Sequence, residues 1–326
     1  MLVLINSSNL KILTSFRLPI LILGFFWITP NVFGQQLTQY TQYFNNYLFY
    51  NPAFAGRDYQ TDVSFISRQQ WVGLDGAPQS NTLNFSTKVL PLNLGAGVNI
   101  NYEKIGAYTS VNANFSVAGE KRMGLNTFRF GIAPAVYSYS FGNQLNAIDN
   151  PELDPVLNGI ANASTRFDLS FGFLFRAPQY FVGLSFANIL APRFEEISKL
   201  GSRNVQIQAG LDYQLPGSQE ITLHPSLMFK SDLNSISAYV VDLSLLALYK
   251  EKFFIGASYR SFDAIAPVAG YQWYNSLGRF RVTYSYDYTT TTISNVSNGS
   301  HEISVKYSHF IDRPTVINRY KNVRFL

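Results

Sequence analysis

Three histidines, one pair of adjacent glutamates and one glycine pair are the residues of this chain best suited by type to do chemistry. His224, His301 and His309 lack metal-ligand spacing. A lumen-facing or interfacial imidazole is the ordinary outcome for a histidine in or beside an alternating segment. Gly95-Ala96-Gly97 lacks the third glycine and the following helix of a dinucleotide loop. Glu195-Glu196 sits beside Arg193 in a long polar stretch and reads as a solvated loop. Acid–base work would need an Asp, His or Ser cluster converging on one rim, and none is isolated. The chain has no Cys, which removes thiolate metal sites and disulfides. No catalytic, cofactor or metal residue is assigned, and an enzyme is not expected.

The elements that would position side chains are strands. Residues 279–288 alternate strictly, with Phe280, Val282, Tyr284, Tyr286 and Tyr288 against Arg281, Thr283, Ser285 and Asp287. A period of two gives one apolar and one polar face. The same unit recurs near 62–70, 79–89, 93–103, 109–119, 126–141, 165–176, 179–188, 204–214, 220–230, 237–249, 252–261, 265–274 and 301–311. The expected fold is all-β: a transmembrane antiparallel barrel of about 14 strands over 62–311. Segment 237–249 alternates poorly, since Val240, Val241, Leu245 and Leu246 fall on both faces.

Composition agrees. Aromatics make up 16% and charged residues 14% of 326 positions, against roughly 25% charged in soluble domains. After residue 34 no run of about 20 apolar residues could form a membrane helix. The net charge of +5 is scattered, and no basic run points to nucleic acid.

Connections alternate in length. In this reading 71–78, 104–108, 142–164, 189–203, 231–236 and 289–300 are long, with 262–264 the short exception. The intervening turns are short. Short periplasmic turns and longer extracellular loops are the rule for outer-membrane barrels, so both termini fall in the periplasm. Trp71, Tyr102, Tyr108, Tyr180, Phe181, Tyr249, Phe253, Phe254, Trp273 and Tyr274 lie near strand ends and read as interfacial girdles. Arg129, Arg166, Asp168, Arg176, Asp212, Lys230, Asp242, Arg260, Arg281 and Asp287 read as lumen residues. They either pair across the interior or line a channel.

The flanks differ from the barrel. Residues 1–34 read as an export signal: Lys11 and Arg17 precede an apolar core at 18–28, and Val32-Phe33-Gly34 supplies a cut before Gln35. A retained anchor is disfavoured by Pro30 and Asn31. Residues 35–61 are aromatic-rich and read either as a lead-in to the barrel or as a plug or partner-binding segment. Residues 312–326 form a basic periplasmic tail, read either as a partner contact or as a disordered end.

Gln42-Tyr43 and Tyr50-Asn51-Pro52-Ala53-Phe54-Ala55-Gly56 resemble the N-terminal signature of the PorP/SprF membrane proteins of type IX secretion in Bacteroidota. Arg68-Gln69-Gln70-Trp71-Val72-Gly73-Leu74-Asp75-Gly76-Ala77-Pro78 is similar to the family's first-loop motif. Further blocks follow in order: Lys104-Ile105-Gly106, 180–185, 224–230, 254–260, Tyr284-Ser285-Tyr286-Asp287-Tyr288 and Gly299-Ser300-His301-Glu302-Ile303. The resemblance implies an outer-membrane barrel in outer-membrane lipid. It implies partnership with the type IX secretion machinery and an exported surface protein, such as a large adhesin of gliding motility. It carries no catalytic residue. Asn51, Pro52, Gly56, Gln70, Trp71, Gly73, Asp75, Gly76, Pro78, Asp287, His301 and Glu302 are its candidate partner-binding or motif positions. Loops 142–164 and 188–203 stand outside the family blocks, and partner specificity is expected there. The competing reading is a diffusion porin or a hydrophobic-substrate transport barrel.

Overall fold

The computed structural model describes residues 38–57, 61–89, 92–141, 163–192, 202–218, 220–233 and 238–309. Residues 1–34, read above as an export signal, most of the two long loops and the basic tail at 312–326 lie outside these residues.

Fourteen antiparallel strands close into a barrel. They are β1 Thr61–Gln69, β2 Gln79–Val89, β3 Leu94–Ile105, β4 Tyr108–Met123, β5 Asn126–Phe141, β6 Ala163–Arg176 and β7 Tyr180–Ala187. Next come β8 Asn204–Leu211, continued by Tyr213–Gln214, then β9 Ile221–Asp232, β10 Tyr239–Tyr249 and β11 Phe253–Arg260. The last three are β12 Ala264–Asn275, β13 Gly278–Thr289 and β14 Ser300–His309. Each strand pairs with its neighbour in sequence, and β14 pairs with β1 from Thr61↔His309 to Gln69↔His301. Closure leaves no edge for lipid to leave unsatisfied.

The alternation has its expected cause. Tyr284 and Tyr288 face outward while Thr283, Ser285, Asp287 and Thr289 are buried inside. On β14, Ile303 and Val305 face out while Glu302, Ser304 and Ser308 face in. Phe65, Leu83, Phe115, Phe130, Phe173 and Ile255 extend this outer apolar surface around the sheet. Water would be a poor solvent for that surface and hydrocarbon a good one. Among the described residues no helix is long and apolar enough to cross a membrane.

Strand ends differ from expectation at two places. β3 and β4 run further than 93–103 and 109–119, so the loop expected at 104–108 is the two-residue turn 106–107. Gly106, at φ +57°, makes that tight turn possible. The turn expected at 120–125 shrinks to 124–125. The longest connections still share one end of the barrel, where 106–107 and 261–263 are the short exceptions, which makes the opposite end periplasmic.

The girdle is corrected at two positions. Phe253, Tyr271, Trp273, Phe280 and Tyr307 form a ladder of neighbouring rings across β11–β14 at the short-turn end, with centroids 4.9–5.9 Å apart. Phe181 and Phe254 instead face the interior. Phe181 packs on Tyr47 and Phe54, and Phe254 lies under the Arg281 guanidinium at 4.2 Å. A ring at a strand end follows strand parity, which takes it inward when its neighbours face lipid. The same rule places Leu246 inside β10, where it is buried.

Candidate functional site

Fourteen strands enclose more space than their inward side chains fill. Residues 38–57 fill it. They form a 3-10 turn at Tyr43–Asn45, one helical turn at Tyr47–Tyr50 (α1) and a second 3-10 turn at Pro52–Phe54. Tyr40, Thr41, Gln42, Tyr43, Asn45, Asn46 and Tyr50 through Gly56 are buried. Residues 35–61 were read as a lead-in or a plug, and the described part is a plug.

Near the extracellular end the plug is held by charge. Arg68 and Glu302 are register partners across the closing seam and make a 3.0 Å ion pair. Arg68 also reaches Asp287 at 2.7 Å. Thr41 sits at the centre. Its hydroxyl donates to Asp287 at 2.7 Å and accepts from Arg68 and Arg260, both at 3.1 Å. Its backbone N–H donates to Glu302 at 2.9 Å, and that of Gln42 does so at 2.8 Å. Arg260 binds Asp242 at 2.7 Å, and Lys230 binds Asp242 at 3.0 Å. Arg68, Lys230 and Arg260 thus oppose Asp242, Asp287 and Glu302, all buried. Buried charges are tolerated when paired and further hydrogen-bonded.

The tyrosines add neutral donors. Tyr40 donates its hydroxyl to Asn101 at 2.9 Å, and Tyr43 donates to the Ser226 carbonyl at 2.9 Å. Burial pushes the Tyr40, Tyr43 and Tyr50 hydroxyls well above their ordinary range, so they stay protonated at physiological pH.

Lower in the lumen the plug is held by close approach. Residues 51–56 run around the inner wall from β8 to β2. The Asn51 amide donates to Gln208 at 2.9 Å and to the Phe173 carbonyl at 3.2 Å. Its Oδ1 accepts from the Ala53 N–H at 2.9 Å, capping the 3-10 turn that Pro52 opens. Gly172 of β6, Gly131 of β5 and Gly95 of β3 lie under this path. A Cβ at those three positions would strike Asn51 Oδ1, the Pro52–Ala53 backbone and the Ala55 carbonyl respectively. Arg129 donates to the carbonyls of Ala53, at 2.9 Å, and of Ala55. Gly56, at φ +59°, donates its N–H to Ser86 at 2.6 Å and turns the chain toward β1.

At the rim the first-loop motif folds onto the closing hairpin. The Gln70 N–H donates to the Pro78 carbonyl at 2.9 Å. Trp71, at φ 51°, donates its N–H to Ser300 at 3.1 Å. Val72 exchanges backbone bonds of 2.8 and 2.7 Å with Gly299 and Asn298. Gly73 takes φ +96° against Asn298. The Gly76 carbonyl accepts from Gly106 at 2.9 Å. Asp75 is exposed.

The candidate positions therefore divide. Asn51, Pro52, Gly56, Asp287 and Glu302 belong to the plug and its anchor. Gln70, Trp71, Gly73, Gly76 and Pro78 shape the rim. His301 parts from Glu302, because adjacent strand residues face opposite ways. It lies on the outer face, within 2.7 Å of the Tyr284 hydroxyl. Asp212, read as a lumen residue, sits exposed at the short-turn mouth beside His224 at 2.6 Å. Sequence reading did not single out Thr41, Arg68 or the glycine track as plug anchors. A glycine recurring on the polar face of successive strands was the available signal. Among the described residues no cluster of three or more His, Cys, Asp or Glu could hold a metal ion.

Comparison with known proteins fits this geometry. The model of the type IX secretion system membrane protein PorP/SprF matches residues 32–307. No curated protein matches the chain by sequence. Among solved structures, the monoaromatic hydrocarbon channel CymD is similar at TM-score 0.51 and 10% identity, covering 86% of this chain and 95% of its own. A deletion mutant of the monoaromatic hydrocarbon channel TodX reaches TM-score 0.45 at 8% identity over 81% of this chain and 94% of its own. Omp33 of Acinetobacter baumannii reaches 0.41 at 9% identity over 78% and 99%. At such identities the likeness speaks for the outer-membrane barrel fold alone. The family match spans the plug, the rim motif and almost the whole closing hairpin, and the chain belongs to the PorP/SprF family of type IX secretion membrane proteins.

Proposed function

We propose that this chain is a non-enzymatic, plugged outer-membrane component of type IX secretion. It assists the export or surface attachment of secreted proteins, large adhesins of gliding motility among them, by binding them or the secretion machinery. Residues 1–34 act as a cleaved export signal. The observation that carries this reading is the occupied lumen: a segment of the chain itself is bonded to residues of β1, β11, β13 and β14 through Thr41 and Gln42. A porin or a transport channel needs a continuous path, and the plug stands in it. Affinity capture of the tagged protein from native outer membranes tests the role. Recovery of secretion components or a surface adhesin is expected. Recovery of neither would refute it.

A further inference from the structure

The plug meets the barrel wall unevenly. Charge ties it near β11, β13, β14 and β1, and close backbone approach holds it along β3, β5 and β6. Between these contacts lie two small polar cavities. One, of about 60 Å³, is lined by Asn46 of the plug, Ser64 of β1, and Asn84 and Ser86 of β2. The other, of about 40 Å³, is lined by Asn112, Asn114 and Ser116 of β4 and reaches Asn188 at the loop end of β7. Leu48 of α1 lines both. The first also shares Phe44, Tyr47 and Lys306 with a cavity of about 370 Å³ at the periplasmic mouth.

Both cavities carry a polar group in need of a partner. Asn46 immediately precedes α1, where an asparagine ordinarily caps the helix with its own side chain. Here the side chain makes no cap bond. The residue is 1% exposed, and neither its Oδ1 nor its Nδ2 has a hydrogen-bond partner among the described residues. Asn112 Oδ1 is likewise buried and unpartnered there. A buried amide left unmade is costly. Cavities ringed by hydroxyls and amides, and roomy enough, hold bound water that meets such groups.

A row of hydrogen bonds joins the two walls. Asn114 donates to Asn99 at 3.3 Å, Asn99 donates to Asn84, and Asn84 donates to Ser64 at 3.0 Å. The row crosses β4, β3, β2 and β1 with neutral side chains throughout. At its lower end Lys306 and Asp62 pair with each other at 2.9 Å. Leu48 interrupts the cleft above this row. Its methyl groups lie against Gly97 of β3, where a Cβ would come within 3.0 Å of them. Gly97 and Asn99 share the inward face of β3. A branched apolar side chain pressed on bare backbone makes a dry point in a polar cleft, and apolar constrictions stop ions by excluding water.

We propose that the two cavities form one hydrated cleft beside the plug, and that Leu48 is the hydrophobic barrier closing it to water and small monovalent ions. The plug then seals the lumen by two devices: bonded packing over most of its surface, and one apolar side chain where the packing is incomplete. This barrier is independent of the secretion role. Native-membrane capture reads that role, and conductance of the purified barrel reads Leu48.

The test is conductance of the purified full chain in planar bilayers bathed in potassium chloride. Leu48→Asn, polar and close to leucine in size, should raise steady conductance at least tenfold above that of the intact protein. Leu48→Met keeps an apolar barrier and should stay within twofold of the intact protein. Adding Asn46→Leu to Leu48→Asn should lower the new conductance severalfold by drying the lower cavity. If Leu48→Asn loses the heat-modifiable mobility of a folded barrel, Leu48→Ala takes its place with the same expectation. Conductance no higher than that of the intact protein in a folded Leu48→Asn or Leu48→Ala barrel would overturn the assignment of Leu48. So would a Leu48→Met barrel that conducts as well as Leu48→Asn. Unchanged conductance on adding Asn46→Leu would overturn the hydrated cleft.

Discussion

The two ends of the lumen differ in how they are filled: one is packed and bonded, and the other holds a cavity. At the extracellular end, three buried cations and three buried anions neutralise one another around Thr41. At the periplasmic end, Arg57, Arg176, Arg279, Arg281 and Lys306 stand with aromatic rings around a cavity of about 370 Å³. A balanced, desolvated network has no affinity left for a partner, and its worth is in fixing one arrangement of the plug. A cavity leaves its lining side chains fewer neighbours to fix them. The plug joins the two, with Thr41 in the network and Arg57 at the mouth.

The largest effect should come from breaking the balance. Arg68→Ala leaves Asp287 and Glu302 buried without their shared cation, and should cost about 3–5 kcal/mol. Urea unfolding in detergent, followed by tryptophan fluorescence, would read it. A loss under about 1 kcal/mol would mean the network is not desolvated as the distances imply. Next is the glycine track. Gly172→Val places a side chain where Asn51 lies and should displace residues 51–56, read as new protease cleavage at Arg57 in a still-folded barrel. Unaltered protection would show that the plug does not lie against β6. Asn51→Ala removes a cap and two wall contacts, for about 1–2 kcal/mol. The smallest change belongs to Arg122→Ala. Arg122 is 68% exposed and shares Glu120 with Lys88 and Arg129, so about 0–1 kcal/mol is expected from the same unfolding measurement.

Strand number, strand faces and membrane placement were legible because alternation reports directly on which solvent each face meets. The pairing of β1 with β14 followed from parity alone. The plug was legible only as one of the alternatives for residues 35–61. Tyr40 through Gly56 carries no period, and its partners lie up to 261 positions away in sequence, as Thr41 and Glu302 do. The balance among Arg68, Lys230, Arg260 and three acids needed the register of six strands at once. His301 and Glu302 read as one motif because family blocks are linear, while the pleat sends the two side chains to different solvents. Phe181 and Phe254 were placed in the girdle for the same reason: position along a strand is easier to read than its face at the ends.

Electrical conductance in planar bilayers tests the sealed lumen most directly. The intact protein should show no steady conductance, and a variant lacking residues 38–57, refolded as a barrel, should show a large one. Steady, large conductance from the intact protein, or a closed barrel after the deletion, would contradict the assignment of residues 38–57 as the seal.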